Sequence, residues 1–351
     1  MSRRAATVRD VAELAGVSTA TVSRALDPVL SDRVSRETRE RVRAAAERLS
    51  YTANHIARSL KTRSTRTIAI LAPELANDFF MELAEGMEKE LDGAGYMLLI
   101  ASSANSQETE VKRLALLTER LVDGIVVIPA GARGDHLQEL ADRGTPVVLV
   151  DRLVEGARLD AVLSDNEGGA YALTRALLAD GFRRIAFVGG DVTISTARER
   201  LSGFARALAE SSLSADSASV RLGGMGIEDG YRRMDEILAS GGLPDALFAV
   251  NLLVHLGVQR RLLELRQRGD DAAAGLAVAG FDETPYSPFL PSCRYTAAQD
   301  AAGLGAAAAR LLLERINGGA SGVEGGPRED AAGMRPTGPR IVRLDTKLIR
   351  H

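Results

Sequence analysis

Polar side chains recur directly after short apolar runs in the large C-terminal part of the sequence. Carboxylate, amide and guanidinium groups form paired hydrogen bonds to neighbouring hydroxyl groups, and an aromatic ring such as that of Phe80 stacks on the apolar side of a sugar ring. The set therefore predicts a site for a small sugar-like molecule, although a single Asp or Asn at a strand end is also a common helix cap. The candidates are Asn77, Phe80, Asp151, Arg152, Arg200, Asn251, Asp282 and Gln299.

The segments that must position these residues alternate between short apolar runs and helical patterns. Runs at 68–72, 96–100, 124–128 and 146–150 predict parallel strands, and the stretches between them predict crossover helices. The same alternation repeats from residue 168 to residue 281. The fold class is therefore α/β, with two lobes of doubly wound parallel sheet. In such sheets, ligands bind beyond the carboxyl ends of the strands, which is where the candidate residues stand.

The alternation also predicts the limits of the domains. We assign residues 67–351 to one domain that is expected to bind a small effector and, because a headpiece of the kind described below reads only half of a symmetric site, to dimerise. Its first lobe is expected to comprise about 67–165 and 296–318, and its second lobe about 166–295 and 340–351. The stretch 317–339 is rich in Gly, Pro and charge without apolar periodicity, so it is predicted to be a loop inserted before the closing strand.

The first 66 residues differ from the rest in charge. They contain 14 Lys and Arg against 7 Asp and Glu, whereas the remaining residues contain 30 against 40. A small basic segment on a larger acidic one indicates nucleic-acid contact at one end of the chain.

Helical periodicity in this basic segment predicts three short helices. Thr7 begins a capping box, Gly16 interrupts the first helix, and Ser18 and Ser35 can cap the second and third. Two helices joined by a three-residue turn predict a helix-turn-helix unit, whose second helix enters the major groove of DNA. The residues expected to face base edges are Thr19, Ala20 and Arg24.

Three stretches of this segment resemble the lactose/galactose repressor (LacI/GalR) family. They are TVRDVAELAGVSTATVSRAL at 7–26, VSRETRERV at 34–42 and IARSL at 56–60. The resemblance implies a DNA-binding headpiece at 1–52 and, at 53–66, a hinge helix and linker that place Leu60 in the minor groove. Ala53 departs from the family's usual proline. The residues implied to contact DNA are Thr7, Ser18, Thr19, Ala20, Thr21, Ser23, Arg24, Asn54, Ala57, Leu60 and Lys61.

The larger domain resembles the effector domain of the same family and the ribose-type periplasmic binding proteins, and the eight candidates fall at its sugar-contacting positions. The resemblance implies a homodimer on a double-stranded DNA operator, with a small effector such as a monosaccharide. Leu252 stands where the family usually has aspartate. A purine, a nucleoside or a sugar phosphate remains an alternative effector, and induction and corepression both remain open.

Other classes of protein are disfavoured by what the sequence lacks. It has no Walker, nucleophile-elbow or zinc-protease motif, and its four histidines form no recognisable constellation, so neither an enzyme nor a cofactor or metal site is expected. A sugar-binding protein without a DNA role is the main rival class. The basic headpiece and the absence of a signal-peptide pattern argue against it and favour a cytoplasmic regulator with no membrane contact.

Overall fold

The computed structural model describes residues 6–26, 31–51, 64–120, 122–211, 220–270, 275–320 and 338–351. The chain divides into two compact units, Met1–Thr65 and Arg66–His351. No helix in the described part of the chain combines the length and the apolar character that a membrane span requires.

The smaller unit is a helix-turn-helix headpiece, as predicted. Helices α1 (Val8–Ala15), α2 (Thr19–Ala25) and α3 (Arg36–Arg48) surround one small core, and a single 3-10 turn covers Ser31–Arg33. Gly16 ends α1 with a φ of 64°, a left-handed conformation that suits glycine and turns the chain sharply into α2. The core side chains are Val11, Ala12, Ala15, Val22, Ala25, Val42, Ala45 and Ala46.

The larger unit contains strands and helices in alternation. The described strands are β1 (Thr67–Ala72), β2 (Met97–Ser102), β3 (Gly124–Val127), β4 (Val147–Val150), β5 (Asp160–Ser164), β6 (Ile185–Val188), β7 (Val220–Arg221), β8 (Ala246–Ala249), β9 (Ala277–Phe281), β10 (Cys293–Ala298), β11 (Ile341–Leu344) and β12 (Lys347–Arg350). The described helices are α4 (Asp78–Gly93), α5 (Gln107–Glu119), α6 (Asp135–Asp142), α7 (Asn166–Ala179), α8 (Ser195–Glu210), α9 (Ile227–Ala239), α10 (Leu252–Gln267) and α11 (Ala301–Ala320), with a 3-10 turn at Ser287–Phe289.

These strands form two six-stranded sheets, one in each lobe. The first has the order β11-β5-β4-β3-β1-β2 and is parallel throughout, with Ile70 of β1 beside Ile100 and Val126. The second has the order β12-β10-β9-β8-β6-β7, and only its pairing of β12 with β10 is antiparallel. Central strands such as β3, β4, β8 and β9 are buried along their whole length, as expected for parallel strands covered by helices on both faces.

Helix α4 is fixed to the first lobe by unusually close packing against α11. A methyl group added at Gly86 would overlap the backbone of Ala302, and one added at Gly305 would overlap the backbone of Leu83. The two helices therefore approach at distances that only glycine permits. This contact matters for the site, because α4 begins six residues after the carboxyl end of β1 and carries residues of the cleft described below.

The structure corrects three predicted boundaries. We placed 340–351 in the second lobe, but β11 pairs in parallel with β5 in the first sheet and only β12 belongs to the second. We placed 296–318 in the first lobe, but β10 extends the second sheet through Ala298. Residues 317–320, predicted as loop, continue α11, and the remainder of the predicted insertion, 321–337, lies outside the described residues.

Candidate functional site

Helix α2 presents an exposed surface suited to reading DNA. Thr19 and Ala20 begin the helix and are exposed, and Arg24 is exposed one turn later. Val22 and Ala25 point the opposite way and are buried in the headpiece core. The exposure of Thr19, Ala20 and Arg24 on one side of α2 would let them reach base edges. Their contact with bases stays a prediction from the sequence.

Three of the other predicted DNA-binding residues hold the helix starts. The Thr7 hydroxyl forms the α1 capping box with Asp10, and the Ser18 hydroxyl accepts a 3.1 Å hydrogen bond from the Thr21 amide. The Ser18 and Thr21 hydroxyls are also 2.9 Å apart. These bonds fix the end of α2 that leads into the groove in helix-turn-helix proteins.

Of the remaining residues predicted to bind DNA, the structure describes one and does not describe the other four. Ser23 is exposed on α2, and its hydroxyl donates to the Thr19 carbonyl at 3.0 Å. Asn54, Ala57, Leu60 and Lys61 lie outside the described residues. The predicted hinge therefore stays an expectation from the sequence resemblance.

A cleft lies in the larger unit, at the carboxyl ends of strands from both lobes. It opens to solvent, and the space between atoms is about 370 Å³ when the solvent at its mouth is included. Two of the eight predicted residues, Asp282 and Gln299, line it. The lining residues are Asp78, Phe79, Glu82, Leu252, Asp282, Glu283, Thr284, Pro285, Gln299 and Ala301.

Asp282 is held in a constrained conformation on the cleft wall. It follows β9 with a φ of 71°, a conformation that is uncommon outside glycine and concentrates at functional sites. Its Oδ2 accepts a 3.2 Å hydrogen bond from the Leu252 amide, and its Oδ1 accepts a 2.6 Å bond from the Gln299 side-chain amide. These two bonds orient a carboxylate on the wall of the cleft.

Arg200 lies buried behind this carboxylate in the second lobe. Its guanidinium stacks on Phe281 with Cζ 3.8 Å from the ring centroid, donates from Nε to Asn166 Oδ1 at 2.8 Å, and donates from Nη1 to the Val250 carbonyl at 2.8 Å. Burial lowers the pKa of Arg200, and the carboxylates of Asp282 and Asp151 oppose that shift. In this structure Arg200 supports the cleft from behind and does not line it.

Asp151 and Arg152 follow β4 of the first lobe as a buried pair. Asp151 has a φ of 68°, and its Oδ2 lies 3.5 Å from Arg152 Nε. Burial raises the pKa of Asp151 despite the neighbouring Arg152 and Arg200. Arg152 Nη1 donates to the Pro129 carbonyl at 3.1 Å. Like Arg200, these two residues lie beside the cleft lining and are not part of it.

The two predicted asparagines cap helices. Asn77 Oδ1 accepts from the Phe79 amide at 3.1 Å at the start of α4. Asn251 Oδ1 accepts from the Val254 amide at 3.0 Å at the start of α10, and its Nδ2 donates to the Met225 carbonyl at 3.0 Å. Both side chains therefore have a structural role that accounts for the residue type.

Phe80 does not offer its ring to the cleft. It is buried in the first-lobe core with Leu83, Ala84 and Met87, because α4 begins at Asp78 and the helical period turns position 80 inward. The cleft-lining ring is that of the preceding residue, Phe79, which packs edge-on against Phe80 at 5.4 Å. The predicted aromatic wall is thus supplied by the neighbour of the predicted residue.

Sequence reasoning missed several acidic and polar residues of the cleft. Asp78 and Glu82 stand one turn apart at the start of α4, and Glu283 and Thr284 directly follow Asp282. The signal that could have found them is position, since a helix that starts at the carboxyl end of a strand presents its first turns to the cleft.

A helix-turn-helix headpiece and a two-lobed domain with a cleft, on one chain, define the class of ligand-responsive DNA-binding regulators. Residues 7–54 match the family described as "Bacterial regulatory proteins, lacI family", and residues 65–329 match "Periplasmic binding proteins and sugar binding domain of LacI family". The chain belongs to the LacI family.

Individual relatives agree with this membership. The HTH-type transcriptional repressor PurR of Vibrio atlanticus (strain LGP32) is 32% identical over 313 residues, which cover 89% of this chain and 92% of that protein. The transcriptional regulator CelR, in the structure of its cellobiose complex, is 29% identical in sequence. Its TM-score is 0.69, and the match covers 98% of each chain. The Lac repressor bound to ONPG shares the fold, with 24% identity, a TM-score of 0.79 and 99% coverage of both chains.

Proposed function

We propose that the chain is a transcriptional repressor that binds a near-palindromic operator as a homodimer, and that a small hydroxyl-rich effector in the cleft controls operator affinity. The observation that carries the effector site is the cleft itself, with the oriented Asp282 carboxylate and the Gln299 amide on its wall. A pocket with a few convergent polar groups at the carboxyl ends of parallel strands is the usual form of a ligand site.

Contacts between the lobes support a conformational response to the effector. The Leu153 amide, after β4 of the first lobe, donates to Ser195 Oγ at the start of α8 in the second lobe, at 2.9 Å. Arg343 of β11 lies 3.4 Å from Glu199 of α8. Since both lobes contribute to the cleft wall, an effector that contacts both favours the closed arrangement.

In the proposed mechanism, lobe closure changes the angle between two subunits and withdraws the Leu60 side chains from the minor groove. Operator affinity then falls. A coupling of this kind is reciprocal and typically changes affinity about 5- to 150-fold.

The experiment that tests the effector site uses Asp282→Asn. An operator is first selected from random DNA duplexes with the purified protein, and its release is then titrated with sugars, nucleosides and their phosphates. Asparagine tolerates the positive φ of this position but removes the charge, so we expect operator binding to persist and effector affinity to fall roughly 10- to 100-fold. Asp142→Asn, an exposed change in α6, serves as the control.

Either of two results would contradict the proposal. If no compound changes operator binding, the effector role of the cleft is wrong. If a compound releases the operator equally well from Asp282→Asn and from the unchanged chain, that compound binds elsewhere.

Homodimerisation has a candidate surface on the larger unit. The segment after β9 exposes Tyr286 at 62% and, three residues on in its 3-10 turn, Phe289 at 81%. Neighbouring exposed rings form an apolar patch of the kind that marks association surfaces. A second copy of the chain is the partner that a half-site-reading headpiece requires.

We therefore expect Phe289→Glu to raise the dimer dissociation constant at least about tenfold, because it places a charge in an apolar contact. Analytical ultracentrifugation over a range of concentrations measures the change. Leu116→Glu, at a half-exposed position on α5, is the matched control. Equal dissociation constants for Phe289→Glu and the unchanged chain would remove Phe289 from the dimer surface.

A purine or nucleoside is the second candidate effector. The observation that favours it is Phe79, whose ring on the cleft wall can stack on a planar base as well as on a sugar. The same titration distinguishes the two classes, because it includes free bases beside sugars.

A further inference from the structure

A buried polar cluster lies behind the cleft wall of the second lobe. It joins Glu283, which lines the cleft, to Thr296 in β10 and to His351, which directly follows β12. Thr296 is fully buried, and the side chains of His351 and Glu283 are 8% and 21% exposed. Among these three residues only Glu283 lines the cleft, so the other two can act on a bound molecule only through it.

Strand pairing fixes His351 beside Thr296. β12 runs antiparallel to β10 with Ile349 opposite Thr296, and the His351 amide continues the pairing by donating to the Arg294 carbonyl at 3.1 Å. Side chains two residues apart on a strand share a face, so His351 lies diagonally across from Thr296 on the face that carries Ile349. His351 Nε2 is accordingly 3.0 Å from Thr296 Oγ1 and 3.1 Å from Glu283 Oε2.

The donors of this cluster converge on one oxygen of Glu283. The Thr296 hydroxyl has a single proton and donates it to Glu283 Oε2. Thr296 Oγ1 and Glu283 Oε2 are then both acceptors toward His351, so His351 Nε2 carries a proton and donates to them. Two protein donors therefore hold Oε2 and fix the orientation of the Glu283 carboxylate.

The other oxygen of Glu283, Oε1, stays open. It accepts no hydrogen bond from the described residues, yet it is not one of the buried atoms that lack a partner, so solvent reaches it. Asp282 differs, because the Gln299 side chain donates to its Oδ1 and the Leu252 amide donates to its Oδ2. Glu283 is thus a cleft-lining carboxylate with one oxygen anchored in the lobe and one available as an acceptor.

We propose that Glu283 Oε1 accepts a hydrogen bond from a hydroxyl or N–H group of the effector, and that His351, with Thr296, is the positioning residue that holds it there. This inference rests on the proposed effector role of the cleft and adds to it one contact residue and one residue that acts through it. An anchored carboxylate loses little rotamer freedom when a molecule binds, which favours affinity. Without the His351 donor the Glu283 side chain gains freedom, and its contact with the effector weakens.

The test is calorimetric titration of the full chain with D-glucose, D-galactose, D-ribose, cellobiose, adenosine and adenine. For the compound that binds most tightly, we expect Glu283→Ala to lower the affinity roughly 10- to 100-fold, because a hydrogen bond to a charged group is lost. His351→Leu should lower it roughly 5- to 20-fold, through the freedom that Glu283 regains. His351→Gln keeps a side-chain N–H donor and should stay within about twofold of the unchanged chain. Arg350→Leu, at an exposed neighbouring position, is the matched control and should leave the affinity unchanged.

Combined variants distinguish positioning from a general structural effect. If His351 acts through Glu283, adding His351→Leu to Glu283→Ala lowers the affinity by no more than about twofold further. A loss of the same factor in both backgrounds would show that His351 acts on the lobe as a whole, and it would contradict the inference. An equal loss in His351→Gln and His351→Leu would contradict it as well.

The outcomes separate this inference from the proposed function. If Asp282→Asn weakens the binding of a compound that His351→Leu and Glu283→Ala bind as tightly as the unchanged chain does, the inference is wrong and the effector site stands. If none of the six compounds binds the unchanged chain, both are wrong. Should His351→Leu fail to fold, Thr296→Val removes the other donor to Oε2, and an unchanged affinity in that variant contradicts the inference.

Discussion

Replacement of Arg200 with alanine is expected to lower the free energy of unfolding of the larger unit by roughly 3–5 kcal/mol. Only 3% of Arg200 is exposed. Its guanidinium donates hydrogen bonds to Asn166 and to the Val250 carbonyl, and it stacks on the Phe281 ring. Its removal takes away a cation that stabilises the buried carboxylates of Asp282 and Asp151, and leaves Asp151 with Arg152 alone. Breaking a buried charge network by deleting one member is costly for this reason.

Urea unfolding followed by circular dichroism measures this loss. Arg198→Ala is the matched control, because Arg198 lies on the same helix, is exposed, and donates only to the Val192 carbonyl among its described hydrogen bonds. We expect the control to change the free energy of unfolding by less than about 1 kcal/mol. Equal losses in the two variants would show that the Arg200 network does not stabilise the lobe.

Stability is also expected to fall between pH 6.5 and about 4 because of His255. The side chain is 1% exposed, and its Nε2 lies 3.1 Å from Gln259 Nε2. Burial, and to a smaller degree the nearby His351, lowers the pKa of His255 from 6.5 to about 4. A protonated ring could not accept the Gln259 amide proton, so the native state retains the neutral ring.

The sign follows from proton uptake in the two states. Below pH 6.5 the unfolded chain binds a proton at His255 that the native chain does not bind until about pH 4, so acidification favours unfolding. Above pH 6.5 both states are neutral and the residue has no pH effect. Relative to His255→Gln, the unchanged chain should lose about 2–3 kcal/mol of unfolding free energy between pH 7 and pH 4.5. Parallel pH profiles for the two proteins would contradict the buried neutral histidine.

The sequence was sufficient to predict the fold class, because the apolar runs and the helical stretches differ clearly in period. The headpiece was predicted down to its caps, since Thr7 and Ser18 have both the right chemistry and the right spacing. The points at which the chain passes from one lobe to the other were harder to predict. Strands β11 and β12 are each four residues long and only two residues apart, so nothing in their composition indicates that they join different sheets.

Within the cleft, sequence predicted the strand-end position of Asp282 but not the rotation of the neighbouring helix. Phe79 and Phe80 are adjacent and chemically identical, and only the start of α4 at Asp78 decides which ring packs in the core. Asn77 and Asn251 illustrate a related ambiguity, because an asparagine after a strand suits a ligand and a helix cap equally well.

The central claim is that ligand binding in the cleft and operator binding are coupled through one chain. The most direct test measures the affinity of the most tightly bound effector of the titrations twice, once with the free protein and once with the protein saturated by its selected operator. The account predicts that operator weakens effector binding by the same factor, about 5- to 150-fold, by which effector weakens operator binding. Equal effector affinities in the presence and absence of operator would contradict it.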